Sequence, residues 1–252
     1  MDTQKITAMR EGGAALGQIR DALMAFTTVD MSFEQIEMEA RRLIAKAGMR
    51  QSFSTVKNYY WATCIMKNEE MCHGIPTKDK IVNDGDVITI DVGLINKGYH
   101  LDTTITFAVG KVPPATEQFL AVGRKSLEKS IAEVRPGASV YDLSYAMQTA
   151  VEKAGFSAVT QLTGHGVGER LHMEPSIPCV GYRHDKRIIL KPGQTIAVEI
   201  MYAAGNAHLI VDSDGWTYKT ADGSLAGMFE DTILVTEKGY EVLTKPSTSG
   251  II

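Results

Sequence analysis

The 252-residue chain lacks several features that mark common protein classes. No stretch approaches the ~20 consecutive apolar residues of a membrane helix. The N-terminal sequence MDTQKITAMREGG has no apolar segment of the kind found in signal peptides. Neither charge sign dominates, because 26 basic and 30 acidic residues give a formal net charge of -4 and the basic residues are scattered. We therefore expect a cytoplasmic protein with no membrane and no nucleic acid substrate.

The chain has only three cysteines. Cys64, Cys72 and Cys179 are irregularly spaced, with neither a CxxC pair nor a disulfide framework, so we expect reduced thiols. What the chain does have is an ordinary globular composition, with 44% hydrophobic and 22% charged residues. Its length suits one large domain or two small ones.

Hydrophobic periodicity predicts four helices and a set of strands. Apolar residues recur at three- and four-residue spacing in two N-terminal segments, and two more helical stretches follow further along the chain. The predicted helices cover about 4–26, a segment capped by Ser32 that ends at Gly48, 115–133 and 139–154. Strands are predicted around 50–55, 62–67, in a hairpin over 88–107, and in the C-terminal part.

The sequence also contains a faint internal repeat. SFEQIEMEARRLIAKAGM (32–49) aligns with SVYDLSYAMQTAVEKAGF (139–156), and further on Asp91 aligns with Glu199 and Asp102 with Glu230. Each half would then supply two helices and a strand pair that carries two acids. This predicts a pseudo-two-fold α+β domain with four acids at its centre, although helix periodicity alone could produce such a match by chance.

The hairpin ITIDVGLINKGYHLDTTITF (88–107) places Asp91 and Asp102 among apolar residues. A carboxylate fixed in an apolar sheet is costly unless it is paired, protonated or bound to a metal. A turn centred on Asn96 and Lys97 would set the two aspartates directly opposite, with Cβ atoms ~5 Å apart. A bulged turn at Gly98 would shift the register by one. Two such acids could share a proton, whereas four converging acids favour a metal.

Histidines beside glycine add a candidate ligand. The segment TGHGVGERLHMEP holds His165 and His172, and His73 stands before glycine in NEEMCHGIP. One neutral histidine with four carboxylates suits Mn²⁺, Fe²⁺, Co²⁺ or Zn²⁺, and two bridging acids would hold two ions ~3.5–4 Å apart. A single histidine is more often a packed or surface residue. We give that interpretation to His100, His184 and His208.

These segments together resemble a known family. CHGIP, IDVG followed by LDTT, GHGVG followed by LHMEP, VEIM and FEDTILVTEKG resemble the type I methionine aminopeptidases of the pita-bread metallopeptidase family, from about Ile6 to Thr244. The resemblance implies one catalytic domain over 1–252, with helices packed on a curved antiparallel sheet. It also implies removal of N-terminal methionine by dinuclear-metal hydrolysis, with a small second residue preferred.

The resemblance further implies the role of each site residue. Asp91 would chelate one divalent ion, Asp102 and Glu230 would bridge two, and His165 with Glu199 would complete the other shell, the ions being Co, Mn, Fe or Zn. Three residues would be catalytic: His73 and His172, which contact the substrate, and Glu199, which shuttles a proton.

A pocket for the methionine side chain is implied as well. Tyr59, Cys64, Leu171 and Trp216 occupy its matching positions. The chain departs from the family at Leu171, which replaces a usual phenylalanine, and at Phe53 and Val56, which could equally be core residues. Ile200 follows Glu199 where the family has proline, and we expect the carboxylate to bind nonetheless.

The expected partners are the N-termini of nascent polypeptides, which a monomeric enzyme could meet at the ribosome.

Two alternative functions remain. Proline-directed aminopeptidases share the fold and the five ligands, but they normally carry a further N-terminal domain and differ at CHGIP. A non-catalytic binding protein of this fold would be expected to have lost ligands. Type II methionine enzymes carry an insertion where this chain has only 27 positions from His172 to Glu199.

Overall fold

The structure, a computed structural model, describes residues 2–245. Its α-helices are α1 (Thr3–Phe26), α2 (Phe33–Lys46), α3 (Pro114–Ala132) and α4 (Val140–Lys153), with short 3-10 helices at Phe53–Thr55 and Arg183–Arg187. The strands are β1 (Arg50–Gln51), β2 (Thr63–Lys67), β3 (Glu70–Cys72), β4 (Val87–Asn96), β5 (Tyr99–Ala108), β6 (Ser157–Ala158), β7 (Thr163–Gly166), β8 (Met173–Pro178), β9 (Thr195–Ala203), β10 (Leu209–Val211), β11 (Tyr218–Thr220), β12 (Ala226–Val235) and β13 (Tyr240–Val242).

The four predicted helices are present nearly at their predicted bounds. The predicted strand at 50–55 is wrong beyond its first two residues. Strand β1 ends at Gln51, and the chain turns into the 3-10 helix Phe53–Thr55. The turn is held by a hydrogen bond from the Val56 N–H to the Phe53 carbonyl. The segment RQSFST holds one apolar residue, Phe53, so it has no hydrophobic period that could distinguish a strand from such a turn.

The strands form one large and one small antiparallel sheet. The large sheet runs β1-β4-β5-β12-β9-β7-β8, with β2 beside β4, β6 beside β9 and β13 beside β12. The small sheet runs β10-β11-β3. Helices and antiparallel strands together confirm the predicted α+β class.

The two halves of the large sheet correspond to the predicted repeat. Helix α1 packs on β4 and β5, while α3 packs on β12 and β9, and each has a shorter helix beside it. Those shorter helices, α2 and α4, both have 14 residues and begin with a capping box, formed by Ser32 with Gln35 and by Ser139 with Asp142. The halves meet where β5 pairs with β12, at the centre of the sheet.

Successive side chains of the central strands point to opposite faces of the sheet, so one face packs in the core and the other carries the acids. In β4, the side chains of Ile88, Ile90, Val92 and Leu94 join the cluster formed with α1 and α2, and Asp91 points to the other face. Strand β9 behaves in the same way, because Ile196, Val198, Ile200 and Tyr202 pack in the cluster that contains α3 and α4. Both strands are buried throughout, since helices cover one face and the other lines a cavity.

The hairpin register differs from both predicted registers. Asn96 pairs with Tyr99, so the turn residues are Lys97 and Gly98, with φ of 49° and 90°. Positive φ at both turn residues is the type I′ geometry that matches the twist of a hairpin. Asp91 therefore pairs with Thr104, and Asp102 pairs with Gly93. The shift relative to direct opposition is two residues, an even number, and so both aspartates stay on one face.

Two glycines allow α1 to lie close to the sheet. A Cβ at Gly12 would come within 2.7 Å of the Leu101 side chain, and one at Gly13 would clash with the Leu243 carbonyl oxygen. The helix therefore continues through a pair of poor helix formers because packing requires their lack of side chains.

We expect Gly13→Ala to destabilise the protein by about 1–3 kcal/mol, because the added methyl group overpacks a backbone contact. Gly239→Ala is the matched control, since a Cβ there meets no atom of residues 2–245 within 4 Å, and it should change stability by less than ~0.5 kcal/mol. Denaturant unfolding of both variants measures the difference. Equal midpoints and slopes for both would contradict the packing explanation.

None of the helices in residues 2–245 combines the length and apolar character that crossing a bilayer requires.

Candidate metal centre and active site

Three acids lie in one row across the centre of the large sheet. Asp91 on β4 pairs with Thr104 on β5, Thr104 pairs with Glu230 on β12, and Glu230 pairs with Glu199 on β9. Neighbouring strands are ~4.8 Å apart, so side chains of one row that share a face lie close together. Asp102, two residues before Thr104 on β5, brings a fourth acid to this face. The two halves of the fold thus contribute two acids each.

A histidine joins this row from β7. His165 pairs with Ala197 on β9, and ligand atoms of Asp102, His165 and Glu230 lie within 4.8 Å of one another. The His165 Nδ1 atom is 2.9 Å from the Gly166 carbonyl oxygen. That contact requires the proton on Nδ1, and Nε2 is then an unprotonated ligand atom, 4.0 Å from Asp102 Oδ2.

Burial and mutual repulsion favour the protonated acids in the absence of a cation. Burial raises the pKa of Asp91 to about 7. Burial and then the neighbouring Asp91 raise the pKa values of Asp102 and Glu199 well above their usual range. Burial, followed by Asp102, has the same effect on the pKa of Glu230. Among residues 2–245, no lysine or arginine lines this cavity to offset the charge.

The donor set fits divalent cations. In the described chain, Asp102 Oδ1 and Glu230 Oε1 are buried without a hydrogen-bond partner, and they belong to the two acids predicted to bridge. Burial lowers the pKa of His165 to about 4, so its imidazole is neutral at pH 7, as a ligand must be. Four carboxylates with one imidazole suit Mn²⁺, Fe²⁺, Co²⁺ or Zn²⁺.

Threonine side chains join the two central strands next to these acids. Thr103 Oγ donates to the Glu230 carbonyl oxygen over 2.8 Å, and Thr232 Oγ donates to the Asp102 carbonyl oxygen over 2.7 Å. The Asp102 N–H donates back to Thr232 Oγ over 3.1 Å. These bonds fix the backbone of Asp102 and Glu230 on neighbouring strands, at the seam between the two halves.

Two further histidines lie at the same cavity. The His172 ring meets the His165 ring edge to face, with centroids 4.6 Å apart. His73 lines the cavity with an unusual backbone φ of 57°, and its ring contacts Tyr218. Burial lowers the pKa of both His172 and His73. Each is therefore neutral at pH 7 and has one N–H to donate to a substrate.

The cavity has a volume of about 340 Å³, within the usual range for small-ligand sites. It brings together every residue that the sequence predicted for the site: Tyr59, Cys64, His73, Asp91, Asp102, His165, Leu171, His172, Glu199, Trp216 and Glu230. Their individual roles stay predictions. Phe53 and Val56 also line the cavity, so they are wall residues as well as core residues.

An aromatic cluster forms one wall. The Tyr59 ring meets Trp216 and Trp61 edge to face, with centroids 5.1 and 5.2 Å apart. The Tyr59 hydroxyl lies 2.9 Å from the Thr63 carbonyl oxygen and 3.2 Å from Cys64 Sγ. Burial raises the pKa of Tyr59 above its ordinary value, so its hydroxyl remains a neutral donor.

Helix α2 anchors the segment that carries this wall. The carboxylate of Glu37, which is 2% exposed, accepts hydrogen bonds from the N–H groups of Ala62 and Thr63 and from the Thr63 hydroxyl. Arg41 pairs with the same carboxylate and also donates to the Tyr60 carbonyl oxygen. The position of Tyr59 and Cys64 is therefore fixed from outside the cavity.

Some lining residues were not predicted. Met201 lies two residues after Glu199, and Met228 lies two residues before Glu230. Strand alternation places them on the same face as those acids, and that signal could have identified them. Thr104, which is hydrogen-bonded to two of the acids, was also not predicted, because only the correct register puts it between Asp91 and Glu230. No comparable pattern indicates Gln161, which lines the cavity from the loop before β7.

We expect metal binding to the metal-free protein to release protons at pH 6. The pKa of Asp91, raised to about 7, keeps a proton there at that pH, and a cation must displace it. Because the same pKa exceeds the unfolded value of ~3.9, the stability of the metal-free protein should fall as pH rises from about 4 to 7. Calorimetric titration with Mn²⁺ in two buffers of different ionisation enthalpy measures the release. Identical apparent enthalpies would contradict it.

Comparisons with known proteins agree with this geometry. The family model for metallopeptidase family M24 matches residues 7–237. Methionine aminopeptidase 1 of Bacillus subtilis (strain 168) is 36% identical over 96% of this chain and 97% of its own length. The crystal structure of methionine aminopeptidase from Thermotoga maritima superposes with a TM-score of 0.94 at 34% identity, covering 97% of this chain and 98% of that one.

More distant structures share the fold alone. Prolidase from Pyrococcus furiosus superposes with a TM-score of 0.78 at 19% identity, covering 97% of this chain and 65% of that one. Together these likenesses confirm the predicted pita-bread fold.

Proposed function

The chain belongs to metallopeptidase family M24, and we propose that the acid and histidine cluster at its centre is the site where it removes N-terminal methionine. The enzyme is a metal-dependent exopeptidase, a methionyl aminopeptidase, that acts on the N-termini of proteins and peptides. We assign the site from one observation: four acids and His165 lie together at a cavity whose other walls are largely apolar.

Five side chains would hold two divalent cations. Asp91 would chelate one ion, and Asp102 and Glu230 would bridge both ions. His165 and Glu199 would be the remaining ligands of the other ion. Support comes from the buried, unpartnered oxygens of Asp102 and Glu230 and from the free Nε2 of His165. Bound there, the cations would activate a water molecule and polarise the scissile carbonyl group.

The protein's own groups would then orient the substrate and move protons. His172 and His73 would donate hydrogen bonds to the scissile peptide, and this donation strengthens as negative charge develops on the carbonyl oxygen. Glu199 would accept a proton from the attacking water and pass it to the leaving amine.

The methionine side chain would lie against Tyr59, Cys64, Leu171 and Trp216. Phe53 and Val56 line the same cavity, and Met201 and Met228 supply flexible thioethers to it. We propose a small second residue in the substrate.

We further propose that the entire chain forms one catalytic domain that works as a monomer in the cytoplasm, where nascent N-termini emerge at the ribosome. The side chains of the site all come from a single chain, and so a second copy is not needed to complete it. Sedimentation equilibrium at micromolar concentration tests the monomer, and co-sedimentation with ribosomes tests the association.

A peptide series tests the function. Protein loaded with Mn²⁺ or Co²⁺ should release methionine from Met-Ala-Ser and Met-Gly-Ser, release far less from Met-Leu-Ser, and leave Leu-Ala-Ser nearly intact. Turnover of Ala-Pro in preference to the methionine peptides would favour a proline-directed enzyme. Metal binding without release from any peptide would favour a non-catalytic binding protein.

A further inference from the structure

Thr104 occupies the one position of the acid row that does not itself carry an acid. It is the strand partner of Asp91 on one side and of Glu230 on the other, and it is 2% exposed. Its hydroxyl lies 3.0 Å from Asp91 Oδ1 and 2.8 Å from Glu230 Oε2. Both distances are hydrogen-bond lengths. The hydroxyl is thus held between acids from the two halves of the fold.

These contacts determine which carboxylate oxygens remain free. Glu230 Oε2 is engaged by Thr104, while Glu230 Oε1 has no partner among the described residues. The free oxygen belongs to the residue whose ligand atoms group with Asp102 and His165. Asp91 is likewise engaged through Oδ1. The hydroxyl has a single hydrogen, so it donates to one of these two oxygens at a time. Each oxygen that it contacts keeps a second lone pair for a cation, and Glu230 Oε1 is free in the described chain.

We infer that Thr104 is a positioning residue that sets the metal affinity of the site by orienting the carboxylates of Asp91 and Glu230. This inference rests on the proposed ligand assignment. A carboxylate that is free to rotate loses conformational freedom when it binds a metal, whereas one already oriented by a hydrogen bond loses less. Removal of a residue that hydrogen-bonds to a metal ligand commonly weakens metal binding 10–100-fold.

Thr106 offers a matched control on the same strand and the same face. It is fully buried, donates to the Met228 carbonyl oxygen over 2.6 Å and accepts from the Met228 N–H over 2.9 Å. Its hydroxyl is also 2.8 Å from that of Thr89. Its hydrogen-bond partners in the described chain are thus main-chain groups and another threonine, and neither Asp91 nor Glu230 is among them. Loss of its hydroxyl should affect folding stability without selective loss of metal.

The experiment compares variants that separate the hydroxyl from the methyl group. Thr104→Val keeps the side-chain shape and removes the donor, Thr104→Ser keeps the donor and removes the methyl, and Thr106→Val is the control. The measurement is the dissociation constant of Mn²⁺ for each metal-free protein, by calorimetric titration at fixed pH. Circular dichroism melting verifies that each variant is folded, and Thr104→Ala replaces the valine variant if that one does not fold.

We expect Thr104→Val to bind Mn²⁺ ~10–100-fold more weakly than the parent protein, and Thr104→Ser and Thr106→Val to stay within ~3-fold. Unchanged affinity in Thr104→Val, or equal weakening in the valine and serine variants, would overturn the positioning role. Equal weakening in Thr106→Val would also overturn it. If the parent protein itself binds no Mn²⁺, the metal assignment fails together with the inference. If the parent binds Mn²⁺ and releases no methionine, the function fails while the affinity comparison remains decisive for Thr104.

Discussion

Asp102→Asn will lose metal and activity together. Asp102 is 4% exposed, its Oδ1 has no hydrogen-bond partner in the described chain, and its other oxygen lies 4.0 Å from His165 Nε2. An amide there removes one negative charge and one strong oxygen ligand from between the proposed cations. Removal of one partner of a buried ionic contact costs about 3–5 kcal/mol, so we expect metal affinity to fall by at least ~100-fold.

The metal-free form of the same variant should behave in the opposite way. Without a cation, Asp102 is crowded by Asp91 and Glu199, and this repulsion contributes to its raised pKa after burial. Because its pKa is raised on folding, Asp102 must take up a proton when the metal-free chain folds at pH 7, and this uptake lowers stability, whereas asparagine takes up none. We therefore expect metal-free Asp102→Asn to melt at a higher temperature than the metal-free parent, while added metal stabilises only the parent strongly.

Asp231→Asn is the control for this comparison. Asp231 follows the candidate ligand Glu230 but points to the opposite face, where it pairs with Arg20 over 3.0 Å and accepts from Thr244 over 2.6 Å. The same chemical change should lower stability there and leave metal stoichiometry intact. Metal analysis by plasma mass spectrometry after dialysis distinguishes the two variants. Full occupancy in Asp102→Asn would contradict its bridging role.

His172→Ala will keep its metal and lose turnover. The His172 ring contacts His165 without being one of the proposed ligands, and burial lowers its pKa so that it stays a neutral donor at pH 7. Loss of a hydrogen-bond donor to a developing oxyanion typically costs 10²–10³ in kcat. We expect kcat for Met-Ala-Ser to fall at least ~100-fold with metal content near two ions per chain.

His184→Ala serves as its control. His184 lies on the surface, its side chain 76% exposed, where it stacks on Tyr182 and lies 3.3 Å from Asp185. Its loss should leave kcat and KM unchanged. Steady-state kinetics together with metal analysis tests both variants. An unchanged kcat in His172→Ala would remove His172 from the mechanism, and loss of metal would assign it to the ligand set instead.

The sequence predicts the helices well because their signals are local. Ser32 caps α2 as expected, Ser139 holds the same position at the start of α4, and the buried faces follow the helical period. The acids were also identifiable, since Asp91 and Asp102 interrupt apolar strands where an unpaired carboxylate is costly. The repeat and the GHG segment then indicated Glu199, Glu230 and His165.

Register was the feature that local signals did not determine. Asn96, Lys97 and Gly98 can each belong to a two-residue turn, and positive φ at both Lys97 and Gly98 is favoured only by the twist of the folded hairpin. Thr104 depends on that register, so its place between two acids was not predictable. The small sheet pairs β11 with the distant strand β3, and all three of its strands have only three residues, too few to give a periodic signal.

The anchoring of the pocket wall by Glu37 links a peripheral helix to the substrate. Because the Glu37 carboxylate holds Ala62 and Thr63, any opening of α2 releases the segment that carries Tyr59 and Cys64. A ligand that requires Tyr59 in place binds the closed form only, so by thermodynamic linkage it must make that opening rarer. Amide hydrogen exchange in α2 should therefore slow when the methionine pocket is filled, even though the helix itself never touches the substrate.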